Sequence, residues 1–108
     1  MSRKDIFKSF NKDMTVPEIK DIANYNSKIL SDIRCYLNEA GKKALEAYDV
    51  LEFEATFAST TDELVEGIES HINRRDSVYN VSKEAANNLK HFCKNFLDRE
   101  ITIKEERS

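Results

Sequence analysis

Five side chains in the stretch "SKILSDIRCYLN" have types suited to nucleic-acid contact: Ser27, Lys28, Ser31, Arg34 and Asn38. If residues 27–40 form a helix with Ile29, Leu30, Ile33 and Leu37 inward, a step of about 100° per residue turns Ser27, Lys28, Ser31, Cys35 and Asn38 to the opposite face, with Arg34 at its edge. Short hydroxyl and amide side chains suit base edges, and cations suit phosphates. Asp32 departs from the pattern, because a carboxylate repels phosphate unless it accepts from a cytosine amine. A solvated helix face has much the same composition, so these residues alone leave both readings open. A second basic pair, Arg74 and Arg75, stands in the polar turn "NRRD". Each would neutralise a phosphate if that turn ran along a duplex, although exposed turns commonly carry such pairs.

Other chemistry is harder to build from this chain. His71 and His91 have no cysteine or histidine at ligand spacing, so no metal site is predicted. The two glycines are isolated and make no phosphate loop, and no Ser, Thr or Cys has the context of an activated nucleophile. The expectation is a non-enzyme without a cofactor. Cys35 and Cys93 lie far apart in helical patterns and read as reduced thiols of a cytosolic protein. No apolar run approaches the ~20 residues that span a bilayer, and "MSRKDIFKSF" has no apolar signal core, so a cytoplasmic protein without a membrane partner is expected.

The elements that would position these residues follow from periodicity and punctuation. Ile6, Phe7 and Phe10 share a face and predict a short helix within 3–11. Thr15 and Glu18 form a Thr-x-x-Glu capping box with Pro17 in the first turn, opening a helix whose inward residues are Ile19, Ile22 and Ala23. Asn24 suits a helix stop, Asn26 or Ser27 can cap the next helix, and Gly41 closes it. "KKALEAY" adds a further helical turn or two. "LEFEATF" alternates Leu51, Phe53, Ala55 and Phe57 against Glu52, Glu54 and Thr56, which predicts a half-buried strand. Thr60 and Glu63 make a second capping box before Leu64, Val65, Ile68 and Ile72, with Gly67 an interruption. "SVYNV" alternates as a second short strand. Ser82 caps a last helix with Ala85, Leu89, Phe92, Cys93 and Phe96 inward, and "REITIKEERS" predicts a short edge strand and a frayed tail.

That order is mostly helical α+β: N-terminal helices, a short β pair and a C-terminal helix, the order of a winged helix-turn-helix. At 108 residues the chain forms one domain, placed at 1–100 with a tail at 101–108. Its net charge of −3 is unevenly spread: residues 51–76 hold seven Asp and Glu against two Arg, and the flanking parts are each close to neutral. With no basic stripe, sequence-independent affinity for DNA is expected to be weak.

The segment "MTVPEIKDIANYNSKILSDIRCYLNEAG" resembles the opening of phage regulatory proteins of the Rha type. Met14, Thr15, Glu18 and Ile19 match its start, Ile29-Leu30-Ser31-Asp32-Ile33-Arg34 its second helix, and Leu37, Glu39 and Gly41 that helix's end. Tyr79, Val81, Lys83 and Glu84 resemble the family's strand-to-helix step. Lys20 and Asn24 depart from the Ala and Gly usual there, and the stretch between the two predicted strands is longer and more acidic. The resemblance implies a small phage or prophage regulator with a winged-helix fold that binds duplex DNA. The alternative is a non-enzymatic inhibitor or antirepressor that binds a protein partner through the acidic segment 52–69. A homodimer through the last helix is a further partner considered, against simple core packing of the same face.

Overall fold

Thr15 opens the first helix as its spacing predicts. Its hydroxyl accepts from the Glu18 N–H at 3.4 Å, and the Glu18 carboxylate accepts from the Thr15 N–H at 2.8 Å. In the computed structural model, which describes residues 7–74 and 81–104, this helix does not stop at Asn24. It runs unbroken as α1 (Val16–Asp32). Its buried residues Val16, Ile19, Ile22, Ala23, Asn26, Ser27 and Leu30 recur every three or four positions and make one continuous stripe. Asn26 and Ser27 therefore sit where two core residues belong, and the predicted break at 24–26 and separate helix at 27–40 do not form.

Both polar residues are tolerated inside because each has a partner. The Asn26 side chain, wholly buried, accepts from the Lys8 N–H at 2.9 Å and donates to the Lys8 carbonyl at 3.0 Å. The Ser27 hydroxyl donates to Asp49 at 2.6 Å. The first of these bonds also shapes the N-terminal segment. Within the expected helix at 3–11, the described residues are non-helical, because Asn26 takes up the backbone groups of Lys8 that a helix would use. Phe10 then reaches the core from an irregular strap.

After α1 a single 3-10 turn (Arg34–Tyr36) reverses the chain into α2 (Glu39–Phe57). Asn38 caps α2 by accepting from the Gly41 N–H at 2.9 Å, so Gly41 lies in a first helical turn instead of ending a helix. A Cβ on Gly41 would fall 2.9 Å from Leu37 Cδ2, so the missing side chain lets Leu37 fold back over that turn.

The predicted strand "LEFEATF" is the last two turns of α2. Its alternation is two helical pairs interleaved: Leu51 and Ala55 are buried, and Phe53 and Phe57 form a ring pair on the outer side at 5.2 Å. The second predicted strand, 77–81, lies outside the described residues except for Val81, which packs on the core. Among the described residues there is no strand, and the winged helix-turn-helix expected from the sequence, with the fold implied by the resemblance, is replaced by a four-helix arrangement.

Two further helices complete it. Thr60 caps α3 (Thr61–Asn73) by accepting from the Glu63 N–H, while the Glu63 carboxylate reaches back to the Ser59 N–H at 2.7 Å. Leu64, Val65, Ile68 and Ile72 are buried as their spacing predicts. Ser82 caps α4 (Lys83–Leu97), accepting from the Ala85 N–H while its own N–H and hydroxyl donate to Glu46 of α2 at 2.9 and 2.8 Å. α2 packs against all three other helices and forms the centre of the fold.

The chain leaves α4 through a left-handed Asp98 and continues without regular secondary structure to residue 104, in place of the predicted edge strand and of fraying from residue 101. Ile101 is buried; Asn73 donates to the Thr102 carbonyl and accepts from the Lys104 N–H, both at 2.8 Å, and Glu69 accepts from the Thr102 N–H. Both ends of the described chain are thus held by a helix asparagine paired with non-helical backbone.

Cys93 sits in the core on α4, where burial, assisted by the charge of Glu69, pushes its thiol from 9.0 up to about 12. A raised folded value means that the stabilisation is complete below pH 9.0 and drains away as pH rises toward about 12. Urea titrations from pH 8 upward should show stability falling by at most about 1.4 kcal/mol per pH unit above the unfolded thiol's value. That slope should be reduced in Cys93→Ala, and equal slopes in both proteins would contradict the assignment.

Candidate binding surfaces

The residues predicted to touch DNA are dispersed by the fold. Ser27 is buried at 8% exposure and engaged with Asp49. Lys28 and Ser31 remain exposed on the last turns of α1, Arg34 stands in the 3-10 turn, and Asn38 is occupied as the cap of α2. Arg74 lies at the end of α3 beside Phe53 and Phe57, and Arg75 falls outside the described residues. Arg34 and Arg74 are therefore near opposite ends of α2, whose 19 residues span about 28 Å. The structure keeps Lys28 and Ser31 together and brings neither to Arg74.

Two other surfaces are built instead. The first is the edge where the end of α2 meets α3. Phe57 is 71% exposed and Phe53 is 44% exposed, and the Phe53 ring meets the His71 ring edge-on at 5.8 Å. The His71 Nδ1 lies 2.7 Å from Glu54 Oε2, tying α2 to α3 beneath the rings. Gly67 makes that tie possible, because a Cβ there would fall 2.6 Å from Glu54 Oε1. Six carboxylates and no Lys or Arg stand between residues 51 and 73. Asp62 pairs with Arg99, Glu63 and Glu69 hold backbone N–H groups, and the Glu52 and Glu66 carboxylates make no hydrogen bond or ion pair among the described residues.

The second surface is a groove of about 350 Å³ between α2 and α4. Tyr48, Leu51, Leu89, Phe92 and Phe96 line it together with Phe10 of the N-terminal strap. The rings interlock: Phe10 meets Phe92 edge-on at 4.7 Å and Phe96 at 5.9 Å. Along one rim run Asn88, His91 and Asn95 of α4.

The acidic segment 52–69, considered above as a protein contact, supplies the first surface, but neither its outward aromatic pair nor the groove follows from the sequence reading. The spacing of Phe53 and Phe57, four apart like Leu51 and Ala55, is the one signal that allowed a helix with an outward aromatic pair. The groove draws residues from three separate segments, and nothing local announces it. No group of three His, Cys, Asp or Glu side chains is arranged to hold a metal among the described residues, and no helix among them is long and apolar enough to cross a membrane. Comparisons with protein-family models, with curated proteins and with solved structures gave no match.

The packing of Glu54 over Gly67 makes their substitutions non-additive. In a Glu54→Ala background, Gly67→Ala should stabilise by about 1 kcal/mol through helix propensity alone. In the otherwise native protein the same change displaces the carboxylate from His71, and the gain should shrink or reverse. Denaturant titration of the four proteins checks this, and an equal effect in both backgrounds would contradict it.

Proposed function

We propose that this chain is a non-enzymatic protein-binding domain, of an inhibitor or antirepressor kind, working in the cytoplasm. Its contact surface is the α2–α3 edge, and the partner surface it suits is basic with an apolar centre. Phe57 is the observation that carries this reading: a phenylalanine left 71% exposed at a helix end, in a part of the chain that holds six carboxylates and no lysine. Aromatic anchors ringed by polar groups are typical of interface centres, and the surrounding negative charge would steer a basic partner. The exposed Cys35 and buried Cys93, both free thiols, suit a reducing compartment.

Regulation by reading duplex DNA, as in a small phage or prophage regulator, is the rival proposal. It keeps Lys28, Ser31 and Arg34 as exposed groups but lacks the single helix that was to carry them into a groove. The acidic α2–α3 edge also opposes phosphate.

The two are separated by one paired experiment. Affinity capture from nuclease-treated host extract should retain a stoichiometric protein, with Phe57→Ser weakening it by tenfold or more, about 1.4 kcal/mol, and leaving the fold's thermal midpoint nearly unchanged. A gel shift on duplex fragments flanking the gene should show no specific complex. A specific, salt-dependent shift with no captured protein would overturn the proposal.

A further inference from the structure

The α2–α4 groove differs from the rest of the surface in one respect: charge. The chain is 34% Asp, Glu, Lys and Arg, yet none of the eleven residues lining this groove belongs to those four types. A surface kept free of fixed charge beside so many available charges complements a neutral occupant. The walls are aromatic and aliphatic, and the ring faces and edges of Phe10, Tyr48, Phe92 and Phe96 suit a flat molecule.

The rim supplies the polar part. Asn88 and Asn95 are two turns apart on α4, about 10 Å along its axis, with His91 between them. None of these three, nor the Tyr48 hydroxyl, makes a hydrogen bond within the described residues, so their donors and acceptors are available along one side. An apolar cleft with a few convergent polar groups, between helices, is the usual form of a small-molecule site, and about 350 Å³ lies at the small end of such sites.

We propose that this groove binds a small, neutral, planar molecule of one or two rings that carries an amide-like donor and acceptor on one edge. The rings lie among Phe10, Tyr48 and Phe92, and the polar edge meets the asparagines of α4. The site is independent of the α2–α3 edge: it uses another face of α2 and requires no protein partner.

The test uses three probes of similar size on the full chain, followed by two-dimensional NMR of backbone and asparagine side-chain amides. 2-Quinolone has the neutral rings and the donor–acceptor edge, quinoline lacks the donor, and quinoline-2-carboxylate is charged. 2-Quinolone should bind saturably with a Kd of about 1 mM or tighter and move the Asn88 and Asn95 side-chain signals. The carboxylate should bind about tenfold more weakly or worse, because no Lys or Arg lines the groove. Ala44→Phe, which fills the groove from the partly exposed side of α2, should abolish binding. Asn95→Ala, at an exposed position that the fold does not use, should remove the preference for 2-quinolone over quinoline. Equal binding of all three probes, no saturation up to solubility, or binding that survives Ala44→Phe would overturn the proposal.

Discussion

One buried amide decides the course of this chain. Asn26 is fully buried on the inner stripe of α1, and a buried amide without partners would cost about 1–3 kcal/mol. Two hydrogen bonds to the backbone of Lys8 meet that demand. They also fix three things together: α1 must continue through residue 26, the N-terminal segment must be non-helical at Lys8, and Phe10 must enter between α2 and α4. Asn73 repeats the arrangement at the other end, holding the backbone of Thr102 and Lys104 and seating Ile101 in the core.

The remaining polar ties radiate from α2. Asp49 takes the Ser27 hydroxyl of α1, Glu46 takes Ser82 at the cap of α4, and Glu54 takes His71 of α3. Each helix that packs on α2 is thus held by one carboxylate of α2, and each bond is available at a single register. Apolar burial through Leu51, Leu64, Ile68, Leu89 and Cys93 supplies the driving force, and the polar ties select among the packings that burial alone would permit.

This explains which features were legible in the sequence. Caps at Thr15, Thr60 and Ser82 act within one turn, and their local signals gave the right starts for three helices. The inward residues of α3 and α4 were legible for the same reason. Asn26 and Ser27 were not, because their place inside is set by Lys8 and Asp49, far away in sequence, and polar residues on a stripe look like an interruption. "LEFEATF" misled for a geometric reason: two helical pairs, one inward and one outward, interleave into an alternation that strands also show. Of the expected contact residues, Lys28, Ser31 and Arg34 stayed exposed, but the helix that was to unite them depended on the break that Asn26 prevents.

Function follows the same division. With no helix break at residues 24–26, the surfaces proposed for recognition are the α2–α3 edge and the α2–α4 groove, both of which depend on α2 staying helical to Phe57 and on α1 continuing past Asn24. Hydrogen exchange of the individual backbone amides of residues 24–28 measures that continuity directly. One rigid helix predicts slow exchange across all five, comparable to the flanking amides of Ala23 and Leu30. Rapid exchange confined to residues 24–27, with slow exchange resuming in the following turns, would mark a hinge there and contradict this account.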